Sequence, residues 1–251
     1  MNSITLEVCS NSVTSAIAAQ EGGAIRVELC ENLDEGGTTP SFGTILLARK
    51  HLHIQLFVLI RPRSGDFLYT DLEFEIIKAD IRNCIEAGCD GIVIGILKAD
   101  GTVDKERCSE LIRMAKQFGL SVTFHRAFDM CADLYQSLED IIALGCDRIL
   151  TSGGKSTAME GVNIIRHLVE QAAGRISIMP GSGIRDTNVA DLVHFTGVTE
   201  VHSSAGKRIT GKMEYKNDHI LLSNGFTDEH GTYTTDAEIV EKIIAAANSG
   251  N

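Results

Sequence analysis

No run of lysines or arginines occurs anywhere in the 251 residues, and 34 acids against 23 basic residues leave a formal charge of −11. Nucleic-acid binding needs a basic stripe, so a nucleic-acid partner is excluded from the expected functions. No apolar stretch approaches the ~20 residues that span a bilayer, so no membrane partner is expected either. The start, MNSITLEVCS, lacks a basic region followed by an apolar one, so no signal peptide is expected. The seven cysteines are odd in number, scattered, and nowhere spaced as CxxC. They suit reduced thiols in a cytoplasm better than a disulfide framework. There is no HExxH and no histidine pair at i, i+4, so no zinc motif is present. Low-complexity tracts and composition breaks are also missing, and residues 1–251 are expected to form a single domain.

What is present is a repeated punctuation. An amphipathic run ends at glycine, about two residues pass, and a β-branched run begins. It occurs at Gly22-Gly23 before IRVEL, in EAGCDGIVI (86–94), FGLSVTF (118–124), ALGCDRIL (143–150), AGRISIM (173–179) and TGVTEVH (196–202). Glycine past a helix end takes the left-handed cap conformation, and the spacing suits short αβ loops. Strands are expected near 4–9, 24–29, 55–60, 91–95, 120–125, 147–151, 175–180 and 199–203. Helices are expected near 12–21, 43–51, 72–87, 104–117, 134–144, 158–172, 186–195 and 235–247. Strict alternation means parallel strands with helical crossovers. An open doubly wound sheet is the alternative, but eight units in this length favour the (β/α)₈ TIM barrel. Three long βα loops, at 30–42, 61–71 and 204–234, fall on the face where barrel enzymes keep their chemistry.

Alternate strand residues face the axis of a barrel. In AIRVELC the apolar set Ile25, Val27 and Leu29 belongs to the helices, which turns Arg26, Glu28 and Cys30 inward. The same parity turns in Thr5, Glu7, Cys9, Thr123, His125, Ser177, Glu200 and His202, and polarity adds Arg61 and Arg148. Polar interior layers occur in barrels, but three acids, three arginines and two histidines are costly to bury unless paired. Active sites accept such costs. His125 in VTFHRAFD therefore reads as ending a strand at the mouth of a polar pocket. The turn PGSGI (Gly181, Ser182, Gly183), leading into a helix at Arg185-Asp186, and HSSA (Ser203, Ser204) occupy the common phosphate position of barrels, and an anion is expected there.

These segments also carry a resemblance. LEVCSNSVTSAIAAQEGGAIRVELCENLDEGGTTPSFG, IRPRSGDFLYT, VTFHRAFDM, RILTSGG and MPGSGI resemble the CutC family, named for copper homeostasis, from about residue 4 to 205. The stretch after 206 resembles it loosely. The resemblance implies a cytoplasmic TIM barrel, usually a homo-oligomer (dimer or tetramer), with a role in copper handling and no firmly attached reaction. It implies copper ligands at the ends of strands one and two, where Cys9 and Cys30 stand. Soft thiolates suit Cu(I), and neighbouring strands lie ~5 Å apart. Cysteine is also a common buried small hydrophobe. Cys84 and Cys108 read as helix packing, Cys89 and Cys146 as turn residues on the bottom face, and Cys131 as loop filler near the mouth. No organic cofactor is evident.

Two functions of different class follow. One is copper homeostasis with Cu(I) on Cys9 and Cys30. The other is an enzyme for a small anionic substrate, phosphate or carboxylate. There His125 is the acid or base, and Glu7, Glu28, Glu200 and His202 set its charge or act beside it. Arg26, Arg61, Arg126 and Ser152 would then hold substrate charge with the backbone of 181–183 and Ser203-Ser204. A regulatory module without chemistry is a third reading.

Overall fold

The computed structural model describes residues 3–217, 219–220 and 230–249. Eight strands alternate with eight helices along the chain. The strands are β1 (Thr5–Ser10), β2 (Arg26–Leu29), β3 (Gln55–Leu59), β4 (Gly91–Ile94), β5 (Ser121–Phe124), β6 (Arg148–Thr151), β7 (Ser177–Pro180) and β8 (Glu200–Ser203). The helices are α1 (Val13–Glu21), α2 (Phe42–His51), α3 (Asp71–Glu86), α4 (Lys105–Lys116), α5 (Leu134–Leu144), α6 (Val162–Ala172), α7 (Val189–Thr196) and α8 (Ala237–Ala247). The parallel ladder runs β7-β6-β5-β4-β3-β2-β1-β8, and β7 returns to lie beside β8. This is a nearly closed (β/α)₈ barrel, the architecture that the alternation predicts.

Local chemistry explains why the helices start and stop where they do. The Ser12, Ser41, Asp104, Asp133 and Asp236 side chains each accept an amide of the first turn, and Thr70 with Glu73 closes a capping box on α3. Gly145 and Gly197 end α5 and α7 with φ of 86° and 73°, a conformation that costs a side chain and that glycine takes freely. α6 and α7 start later than expected, because Ser-Thr-Ala-Met-Glu (156–160) and Asp-Thr-Asn (186–188) form bends and turns before them. A second difference lies in the expected 204–234 loop. An antiparallel hairpin, β9 (Gly206–Thr210) and β10 (Gly231–Thr235), stands there. Residues 218 and 221–229 of that loop lie outside the described residues.

Two apolar clusters confirm the parity of the strands. The larger sits between strands and helices and includes Leu6, Val8, Val27, Leu29, Val58, Ile92, Val122, Ile149 and Val201. Each such buried side chain contributes about 1.5–3 kcal/mol relative to exposure. Ile25 is the exception: it precedes β2 at the barrel rim and is half-exposed, not packed under a helix. The smaller cluster, Cys9, Cys30, Phe57, Leu59 and Val93, lies inside the barrel.

Candidate functional site

Inside the barrel the ionic residues form one alternating chain. Arg148 Nε bonds Glu200 at 3.1 Å, Glu200 also takes Arg26 Nη2, and Arg26 Nε bonds Glu7. Glu7 then accepts from His202 Nδ1 at 2.8 Å, and His202 Nε2 stands 3.8 Å from Glu28. The ring of Phe57 is flanked by both guanidinium groups, 5.2 Å from Arg26 and 5.1 Å from Arg148. Gly91 on β4 leaves room for that ring, since a Cβ there would lie 2.6 Å from it. The signs alternate from the barrel bottom to its mouth, so each buried charge has an opposite neighbour.

This environment sets the charge states. Burial opposes ionisation of Glu7, but the Arg26 charge and the His202 hydrogen bond outweigh it and lower its pKa to about 2. Burial also opposes a charged His202, yet Glu7 and Glu28 raise its pKa above the ordinary imidazole value. Burial raises the Glu28 carboxyl, with the His202 charge acting against it. Cys9 and Cys30 approach Sγ to Sγ at 3.3 Å as free thiols. Their shared hydrogen bond, burial and the nearby Glu28 push the Cys9 thiol well up, so it holds its proton. Cys9, Glu28 and His202 offer ligand atoms all within 4.8 Å of one another.

Above this chain opens a cavity of about 650 Å³, lined by Cys9, Glu28 and His202 on one side and Arg61, Phe67 and His125 on another. His125 lies beside Gly95, whose missing Cβ would fall 2.5 Å from its Cε1. Its Nδ1 accepts the Ala127 amide at 3.1 Å, so the proton resides on Nε2. Nε2 itself has no partner among the described residues. Burial and the Arg61 charge lower the pKa of His125 to about 3, so the ring is neutral. Of the acids expected to set its charge, Glu7 and Glu28 stand at His202 instead, and Glu200 pairs with Arg26 and Arg148.

The remaining candidates separate by height. Glu7, Glu200 and Arg26 lie in the ionic chain and do not line the cavity. Glu200 pairs in register with Thr5 at the start of β1, near the barrel bottom. Arg61 lines the cavity, but its guanidinium donates to the Glu35, Gly37 and Gly65 carbonyls and so anchors two loops. Arg126 lines it too, held by Asp129 at 2.8 Å and by Ser152 Oγ at 2.8 Å. Ser152 is fully buried against Asp129 and does not reach the cavity. Gly181 gives its amide to Thr151, and its bare Cα leaves room for Leu150, whose Cδ1 would lie 2.6 Å from a Cβ there. Ser182, Gly183, Ser203 and Ser204 all line the cavity.

Sequence reasoning missed Phe67, Arg185, Lys242 and Tyr233 as lining residues. Tyr233 bonds Ser204 Oγ at 2.8 Å from β10. Its signal is faint, one aromatic in a polar strand. Arg185 did carry a signal, since it follows the glycine-rich turn directly.

Comparison with known proteins places this geometry among relatives. A model described as the CutC family matches residues 4–207. The human copper homeostasis protein cutC homolog is 45% identical, with 99% of this chain and 90% of that relative covered. A CutC family protein of Xylella fastidiosa strain 9a5c is 53% identical over 98% of this chain and 89% of its own length. The crystal structure of CutC from Streptococcus agalactiae superposes with a TM-score of 0.76 at 38% identity, over 80% of this chain and 98% of that one. Thiamine phosphate pyrophosphorylase from Pyrococcus furiosus, TM-score 0.60 at 14% identity, covers 98% of this chain and 96% of its own and shares the fold alone. Among the described residues no helix is long and apolar enough to cross a membrane. With most of its length matched by the family model and by relatives of this identity, the chain belongs to the CutC family.

Proposed function

We propose that the protein serves copper homeostasis in the cytoplasm by holding Cu(I), as cargo, on Cys9 and Cys30 at the cavity floor. The observation that carries this reading is the 3.3 Å contact between two free thiols on adjacent strands. Soft sulfur donors favour Cu(I) over hard cations. His202 adds a nitrogen within reach of Cys9. Its other nitrogen is fixed by Glu7 at 2.8 Å, the second-shell carboxylate that orients a ligating histidine. Cys9 lines the cavity while Cys30 is fully buried beneath, which gives an entry path through Cys9. The relatives' name, copper homeostasis protein, agrees with the same role.

The test is anaerobic Cu(I) titration against a chromogenic chelator. One Cu(I) per chain is expected for the wild type and none for Cys9→Ser with Cys30→Ser. His202→Ala removes the nitrogen and is expected to weaken binding by about 10-fold or more. Unchanged stoichiometry and affinity in the double variant would remove the thiol pair from any copper role.

A further inference from the structure

The upper part of the cavity is not used by the copper reading, and its two ends have complementary chemistry. At one end, the carbonyls of the turn after β7 are already engaged by hydrogen bonds within the protein. Ser182 O accepts the Ala158 amide at 3.0 Å, Gly183 O accepts Asn188 Nδ2 at 2.8 Å, and Ile184 O accepts Ser203 Oγ at 2.9 Å. Asn188 Oδ1 takes the Arg185 amide at 2.9 Å and Ser182 Oγ bonds Ser156 O at 2.8 Å, so the turn is tied from both sides. The amides of Ser182, Gly183 and Ile184, and that of Ser204 after β8, have no acceptor among the described residues. Successive left-handed residues hold this shape, with φ of 76° at Ser182 and 74° at Gly183. For Ser182 that conformation is strained, a cost retained where the backbone must face a ligand. Arg185 and Lys242 line the same cavity and add positive charge; Asp186 lines it as well.

At the other end stands His125. It is 4% exposed, and its Nε2–H is a buried donor with no partner among the described residues. Leaving a donor buried and unpaired costs about 1–3 kcal/mol, which a ligand oxygen would recover. Phe67 lies 5.0 Å from the imidazole with its ring tilted at 46°, Leu59 shares the lining, and the Arg61 guanidinium sits over the Phe67 ring at 5.0 Å. Arg61, on the same side, spends Nη1 and Nη2 on the Glu35, Gly37 and Gly65 carbonyls and keeps Nε–H unpartnered among the described residues. The neutral His125 Nε2–H beside it therefore suits a single oxygen acceptor such as a carbonyl. Four amides and two cations exceed the lone pairs that one carboxylate offers, which favours a phosphate at the opposite end.

We propose that the barrel mouth binds a small phosphorylated carbonyl compound, its phosphate on the Ser182–Ile184 and Ser204 amides and its carbonyl oxygen on His125 Nε2–H. The cavity volume of about 650 Å³ suits a ligand of that class. In that position the imidazole polarises the carbonyl as a hydrogen-bond donor and transfers no proton. The proposal is independent of copper and is tested without it.

The experiment uses the full chain, chelator-treated and reduced, with 15N labelling of backbone and imidazoles. Two probes are titrated, inorganic phosphate and dihydroxyacetone phosphate. Inorganic phosphate is expected to shift the Ser182, Gly183, Ile184 and Ser204 amides and to leave the His125 Nε2 resonance in place. Dihydroxyacetone phosphate is expected to shift both. His125→Phe removes the donor at similar volume and is expected to weaken the ketone phosphate by about 10-fold while inorganic phosphate binds as before. No shift of the four amides with either probe at tens of millimolar overturns the anion end. A ketone phosphate that leaves Nε2 unmoved in the wild type, or binds a folded His125→Phe equally well, overturns the carbonyl end. Wild-type spectra decide the question even where the variant fails to fold.

Discussion

His202 and His125 are the same side chain on the same inward parity, and both line one cavity, from β8 and from the end of β5. Their surroundings drive them apart. His202 joins a chain of alternating charges, and Glu7 and Glu28 hold its pKa up. His125 sits against Phe67, Gly95 and the Ala127 amide, and burial with the Arg61 charge takes it down to about 3. A pair of titratable groups pushed apart in one cavity is a signature of divided labour. One wall is a chain of alternating charges and suits a cation or a proton; the other presents a neutral imidazole that donates a hydrogen bond beside Arg61. The lesson is that inward parity decides which face a residue joins, while its neighbours across the barrel decide what it is.

The ionic wall breaks most easily at Glu7, which is fully buried and serves both Arg26 and His202. Glu7→Ala is expected to cost about 3–5 kcal/mol, because Arg26 keeps only Glu200 and His202 loses its orienting carboxylate. Urea unfolding of the reduced protein measures it. A cost below about 1 kcal/mol would mean that the chain of charges contributes little and that the two walls differ less than their geometry suggests. The His125 wall breaks at Gly95. Gly95→Ala places a methyl 2.5 Å from Cε1 and 2.6 Å from Nδ1 of His125, so the ring must move. Overpacking of this kind costs about 1–3 kcal/mol. The same unfolding series is the check, and displacement of the ring is read from the Ala127 amide, which loses its acceptor. An unshifted Ala127 resonance would show that the ring has room to spare.

Particular residues show why the fold was legible and the site only in part. Val27 beside Glu28, and Val201 beside His202, announce which face belongs to the helices, so the inward set follows from alternation alone. Height along the barrel does not. Glu200 and Glu28 look equivalent in sequence, yet the first opens its strand near the bottom and the second stands near the mouth, because strand stagger fixes depth. Arg61 stands two residues past the end of β3 and Ser152 directly after β6, where loop carbonyls and Asp129 claim them. In VTFHRAFD the histidine and the arginine both line the cavity, and the arginine and the aspartate bond each other, with the aspartate bracing the loop after β6. The hairpin escaped notice because GKRIT and GTYTT are polar, largely exposed and far apart in sequence.

The finest separation of the two walls is in pH. His125 has a folded pKa of about 3 against 6.5 unfolded, so below 6.5 the unfolded chain takes a proton that the folded chain refuses. Its contribution is complete above 6.5 and is lost as pH falls toward 3, at up to about 1.4 kcal/mol per pH unit. His202 has the opposite sign. Its folded pKa is raised, so its contribution is complete below 6.5 and is lost as pH rises through that higher value. Glu7 acts only below its ordinary 4.5, down to about 2, which leaves 4.5–6.5 as the window for His125. Glu28, also raised, tilts stability the other way in part of that window, but the tilt is common to wild type and a His125 variant and cancels in their difference. Stability of wild type minus His125→Asn, measured by urea unfolding between pH 4.5 and 6.5, is therefore expected to rise with pH. Wild type minus His202→Asn, measured above pH 6.5, is expected to fall with pH. Two flat difference curves, or two of the same sign, would erase the distinction between the walls.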